Sequence, residues 1–366
     1  MKVIHYNDKT SYKDFKLQAQ SENPDLVHIH ACWSLKAWRV MLWCRRHMKP
    51  VVLSPARLLM PWHVRHCYWL CKLPQLLIYQ KQMVKHAHAV VAVTEQEQQH
   101  LLTMGILPQT KNTEAWNDRV VFIPDYRFTS ELTEDDMNER YALLYQKVID
   151  SHSFMVMSAD DRKAENTLLR LGLSQDIESQ GITQEDDQRV QKLSADSWRK
   201  ILLHADEEGI LQEIRKGAAL LKIAPQSIIG IERFPLRGKK NTQPLPTDKA
   251  LMIPLRLKEY SQEKNATAAD VELCRVILNF IHEMNDGTLS RRHVADLYTA
   301  LRFTDYNENR VTQILQILKE KKTAQRLLGI LHETLGLEEG FMPMEMRNDW
   351  GTRKISKLLY RLNIQY

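Results

Sequence analysis

Five short apolar runs punctuate the first 128 residues, and their spacing constrains the fold more than any other feature. They are KVIHY (2–6), DLVHIH (25–30), PVVLS (50–54), AVVAVT (89–94) and RVVFIP (119–124). A strand with one wet face alternates apolar and polar residues, whereas these runs are near-continuous, as strands covered on both sides must be. The segments between them, such as 36–48 and 73–86, are long enough to hold a helix. Parallel neighbours need such crossovers. The pattern predicts an α/β fold: an N-terminal Rossmann-like parallel sheet with helices on both faces.

From residue 130 onward the pattern becomes helical. Helices are predicted over 131–150, 160–171, 194–222, 268–285, 290–302, 307–320, 322–335 and 350–362, with Ser194 and Thr267 at N-cap positions. Pro235, Pro244, Pro246 and Pro254 crowd one stretch, which reads as a linker. The expected division is a Rossmann-like domain over 1–128, a helical region over 129–233, a Pro-rich linker over 234–256 and a helical bundle over 257–366.

Hydrophobic residues make up 43% and charged residues 26% of the 366, the balance of a soluble globular protein. No apolar run approaches the roughly 18 residues that span a bilayer, and the start lacks an export signal. The expected location is the cytoplasm. Five cysteines, Cys32, Cys44, Cys67, Cys71 and Cys274, then read as reduced thiols. The formal charge of +6 is unevenly placed: residues 26–94 carry ten Lys or Arg and no acid. Such a stretch concentrates anionic partners.

Open parallel sheets bind ligands beyond the carboxyl ends of their strands. Four of those ends are polar here: His30 to Trp33, Ser54 to Arg57, Thr94-Glu95 and Asp125-Tyr126. They are either the rim of one crevice or ordinary capped loops.

The order PDLVHIHACW, LSPARLLMPW, AVVAVTEQE, RVVFIPD resembles the acceptor-side half of bacterial family 4 glycosyltransferases of GT-B fold. The likeness runs over about residues 22–125. It implies a protein that transfers, or formerly transferred, a sugar from a nucleotide sugar to a lipid-linked or polysaccharide acceptor in cell-surface polysaccharide synthesis. The alternative is a non-catalytic acceptor-binding or scaffold protein of the same pathway. It nominates His30, Arg57 and Glu95 for catalysis and Trp33, Ser54, Trp62, Thr94 and Asp125 for substrate binding. No metal and no cofactor is expected, the nucleotide sugar being the donor substrate.

Two departures stand out. The family places His or Arg and then Gly after Ser-Pro, where this chain has Ala56 and Arg57; and Ile-Pro-Asn-Gly has become Ile123-Pro124-Asp125-Tyr126. A GT-B enzyme also needs a second α/β domain with two glutamates eight positions apart. Glu339-Gly340-Phe341 echoes part of that motif, but Arg347 stands where the second glutamate belongs. This reads as a chance match in a helix-ending turn.

Residues 61–86 mix Trp62, Tyr68, Trp69 and Tyr79 with Arg65, Lys72, Lys81 and Lys85. Aromatic tips with cationic stems suit an anionic headgroup layer, here the inner face of the plasma membrane; a helix packed on the sheet with a solvated basic face is the other reading. His63, His66, Cys67 and Cys71 within it read as packed side chains, not a zinc site. Residues 287–322 resemble helix-turn-helix spacing, so nucleic-acid binding is a competing function. Ile314, Leu315, Ile317 and Leu318 favour a plain helical bundle there.

Overall fold

The apolar runs form five strands: β1 (Val3–Tyr6), β2 (Leu26–Ile29), β3 (Val51–Leu53), β4 (Ala89–Ala92) and β5 (Val120–Phe122). They come from a computed structural model that describes residues 1–65, 72–103, 118–128, 132–174, 182–235, 257 and 266–361. All neighbours are parallel, in the order β1-β2-β3-β4-β5. The crossovers carry α1 (Tyr12–Glu22), α2 (Leu35–Arg46), α3 (Pro61–Arg65), α4 and α5 (Glu95–Thr103). The α4 run consists of Leu73–Gln75, a π-turn over Leu76–Gln80, and Lys81–His86. Ser11 and Ser34 cap α1 and α2 by accepting from Asp14 N–H and Ala37 N–H.

Crossovers between parallel strands are right-handed. Four that advance in the same direction therefore fall on one face of the sheet, and the core shows it. Ile4, Tyr6, Val27, Ile29, Val51 and Leu53 are buried in one cluster with Phe15 of α1, Val40 and Met41 of α2, Met83 of α4 and Leu101 of α5. The opposite strand positions, Leu26, Val52, Ala89 and Val91, pack with Leu144, Tyr145, Val148 and Ile149 of α6 (Glu134–Asp150) and with Phe234. Both faces are covered, the second by a helix that follows the sheet.

That helix shifts the boundary. One compact unit comprises Met1–Val156 with Ile229–Arg237, so it extends past residue 128 because α6 and α7 (Ser153–Val156) belong to it. Phe234 N–H donates to Ser151 Oγ (2.7 Å) and Arg119 Nη2 donates to Pro235 O (2.9 Å). The start of the expected linker is thus packed; residues 236–256 lie outside the described set.

The other unit comprises Met157–Ile228 and Gly238–Gln365, and no strand occurs among its described residues. Its helices are α8 (Ala159–Leu173), α9 (Gln184–Gln191), α10 (Ala195–Glu207), α11 (Leu211–Leu220), α12 (Ala268–Asp286), α13 (Arg291–Phe303), α14 (Glu308–Ile317), α15 (Lys321–Leu335) and α16 (Trp350–Arg361). Ser194 and Thr267 cap α10 and α12 as expected. The single helix expected over 194–222 is two, because Gly209 adopts φ 73° and Ile210 N–H turns back to Ala205 O.

Cys32, Cys44 and Cys274 are buried free thiols, and burial pushes Cys32 up to about 12. Cys67 and Cys71 lie outside the described residues. Among the described residues, no helix is long and apolar enough to cross a membrane.

Candidate functional site

The site begins with strand alternation. In β1 and β2 the odd and even positions face opposite sides of the sheet. Ile4, Tyr6, Val27 and Ile29 face the crossover helices. His5 and His28 therefore point the other way, toward α6, and the parallel register makes them direct neighbours. His30 follows two residues on, just past β2. The three imidazoles meet: His5 Nδ1 lies 2.9 Å from His30 Nε2, and the His28 and His30 rings are 3.8 Å apart between centroids.

His28 is fully buried and engaged at both nitrogens, with Nδ1 2.6 Å from Tyr145 OH and Nε2 2.7 Å from Ser54 Oγ. Tyr141 in turn hydrogen-bonds Ser54. Desolvation holds all three histidines below their usual value, with mutual repulsion adding to it at His28 and His30; His30 falls to about 4. All three are neutral at pH 7. A cavity of about 520 Å³ opens over them, walled by Ser54, Ala56, Val93, Asp125, Tyr141 and Tyr145. Asp125 is held below the usual carboxylate range chiefly by its hydrogen bond with Arg127, which grips it with Nε and Nη2 (3.0 and 2.6 Å). The site thus offers aromatic faces, hydroxyls, neutral imidazoles and one fixed carboxylate.

The loop after β3 forms part of the wall. Ala56 and Arg57 have φ values of 48° and 67°, the left-handed region where glycine is at ease. The chain keeps the loop shape without the residue that favours it. A buried carboxylate holds it: Glu97 accepts from Arg57 N–H (2.6 Å) through one oxygen and from Val93 N–H (3.0 Å) through the other. Burial pushes the Glu97 carboxyl up, against the opposing pull of those two amides and of the Arg57 charge.

A strand-end His, a Ser-Pro loop in left-handed turn and a Thr-capped helix thus stand around one sheet. Residues 11–114 match the glycosyl transferase 4-like domain. The match covers less than a third of the 366 residues, and the parallel α/β unit that contains it is consistent with the N-terminal half of a GT-B fold. No curated protein and no solved structure matches the chain significantly.

Within the matched residues and the strand after them, the sequence-predicted residues divide. His30, Ser54 and Asp125 line the cavity. Arg57 and Glu95 are exposed and are not part of its wall, which is formed by Ala56 and Val93 at those strand ends. Thr94 caps α5 by accepting from Glu97 N–H (3.1 Å). Trp33, itself at φ 59°, is a strut: its indole Nε1 donates to Leu58 O (2.8 Å), its N–H donates to Gln80 Oε1 (2.8 Å), and Lys72 sits over its ring. Trp62 is exposed, with its ring edge-on to His63. His66, Cys67 and Cys71 lie outside the described residues.

The residues that sequence reasoning missed are His5, His28, Glu97, Tyr141 and Tyr145. His28 and His30 did carry a signal, two histidines at strand period 2, and Glu97 stands in the Thr-Glu-x-Glu element. The pairing of His5 with His28 is a matter of register, which no local pattern reveals.

Proposed function

We propose that this chain binds a carbohydrate acceptor at the strand ends of its glycosyl transferase 4-like domain and serves cell-surface polysaccharide assembly. The supporting observation is the cavity over β1, β2 and β3, where His30, Ser54 and Asp125 converge with Tyr141 and Tyr145. Sugar rings present apolar faces and hydroxyl edges, which aromatic walls and a few fixed polar groups suit. If the chain transfers a sugar, it does so from a nucleotide sugar to a lipid-linked or polysaccharide acceptor. Neutral His30 can accept the proton of the attacking hydroxyl, and Asp125 can stabilise positive charge that develops on the sugar.

Calorimetry of the full chain against acceptor oligosaccharides and nucleotide sugars tests this. Acceptor binding that Asp125→Ala weakens supports the reading; no binding of any acceptor to the folded wild type refutes it. A non-catalytic role is favoured by one observation: the described residues of the second unit are helical, whereas GT-B donor binding uses an α/β domain. Acceptor binding without release of nucleoside diphosphate would select that reading.

The basic face of the domain supports a place at an anionic membrane. Lys36, Arg39, Arg45 and Arg46 are exposed on α2 beside exposed Leu35 and Leu42, and Trp62, Leu77 and Ile78 are exposed on the segments that follow. Leucine and tryptophan enter the headgroup layer while the cations meet anionic lipid. A lipid-linked acceptor is delivered there.

A further inference from the structure

We propose that His5, His28 and His30 form a three-imidazole site for a divalent transition metal, with Zn²⁺ the best fit. One ligand nitrogen from each ring lies within 4.8 Å of the others. Tetrahedral zinc with three His ligands at about 2.0–2.1 Å sets their nitrogens roughly 3.3 Å apart, so the His5–His30 pair opens a little while the His28 nitrogen closes in. The sheet supplies the frame, since His5 and His28 are register partners on adjacent strands and His30 extends the same face. A site carried on strands is more rigid than one carried on loops.

Neutral imidazoles are the ligating form. His5 Nδ1 and His30 Nε2 face each other at 2.9 Å, so one of them carries a proton between them. On metal binding that ring takes its other tautomer, moving the proton to its outer nitrogen with no net charge released. His28 ligates through one nitrogen and keeps Ser54 or Tyr145 on the other, the kind of second partner that fixes a ligating ring. The displaced hydroxyl turns toward the cavity.

The fourth position faces that cavity, open to water or to a hydroxyl of a bound molecule. A metal with three protein ligands and one open place is a Lewis acid, not a structural clip. Asp125, held by Arg127, lines the same cavity and places a carboxylate near the open side. The site needs no glycosyl transfer; with a metal bound, His30 is a ligand and no longer serves as a base.

The test is a metal titration of the full chain after chelator dialysis, without any sugar. Zn²⁺ is followed by calorimetry and Co²⁺ by its visible d–d absorption. The expected result is one ion per chain, with affinity falling at least roughly 100-fold in His5→Gln and in His30→Gln. Both side chains are exposed, so both variants should fold, which near-UV circular dichroism checks. A Cys67→Ser/Cys71→Ser variant should bind as the wild type does. The proposal is overturned if the wild type takes up no stoichiometric metal, if both His variants bind unchanged, or if the cysteine variant alone loses the ion. None of these outcomes depends on acceptor binding, so failure here and failure of the carbohydrate reading are separate results.

Discussion

At the scale of single residues, Glu97 governs the shape of the cavity wall. Its two carboxylate oxygens are the partners of Arg57 N–H and Val93 N–H, so Glu97→Ala strands both amides and releases a strained loop. Losing two charge-assisted bonds to backbone amides costs about 2 to 4 kcal/mol, which a denaturant midpoint will register. The converse change is instructive. Arg57→Gly relieves a left-handed φ at a non-glycine position and should stabilise the fold by roughly 0.5 to 1 kcal/mol. The histidines set the pH response. Unfolded, each takes up a proton below its ordinary value of 6.5, while folded His30 refuses it until about 4. The unfolded chain therefore binds more protons across that window. The stability that His30 contributes is fully present above pH 6.5 and falls as the pH drops toward 4; His5 and His28 act in the same sense, and buried Glu97, its carboxyl raised, opposes them above its ordinary value of 4.5. Unfolding midpoints at pH 7 and pH 5 should differ less in His30→Gln than in the wild type. At this scale the sequence revealed three cavity residues, His30, Ser54 and Asp125, through the strand-end rule. It hid the rest because a ring on β1, a hydroxyl on α6 and a carboxylate inside α5 become neighbours only once register and packing are set.

Among the elements, the tightest contact is between α8 and α11. A Cβ on Gly217 would lie 2.1 Å from Leu168 O, and one on Gly172 would lie 1.8 Å from Glu213 O, so each glycine admits the backbone of the other helix. Gly217→Ala must push the two helices apart. Overpacking of this kind costs roughly 1 to 3 kcal/mol, against which the better helix propensity of alanine returns only part, so the thermal midpoint should fall. Strands were the most legible elements. The run AVVAVT (89–94) contains β4 at Ala89–Ala92, and each of the other four runs likewise encloses its strand. Continuous apolar character is a strong signal when both faces are covered. The break at Gly209 was not legible, since apolar spacing continues through 194–222 and one glycine in a helical pattern is often tolerated. The role of α6 as cover for the second face was also hidden, because an amphipathic helix does not announce which surface it will meet.

For the whole molecule, charge placement yields a binding prediction. With ten cations and no acid between residues 26 and 94, the chain should float with vesicles rich in anionic lipid and not with neutral ones. Each basic residue near such a surface adds about 1 kcal/mol, screened over roughly 10 Å at 0.1 M salt, so raising the salt should release it. Replacing Arg39, Arg45 and Arg46 together by Gln should abolish flotation, and unchanged flotation would exclude this face. The strand order carries a different consequence. Each new strand docks on the one made just before it, Leu26 beside Val3, Val51 beside Val27, Ala89 beside Val52 and Val120 beside Val90. No strand must wait for a distant stretch to be synthesised before it finds its neighbour. Closing short loops is entropically cheap and favours rapid assembly, so the nascent chain can build its sheet as a row, extending one growing edge while still attached to the ribosome.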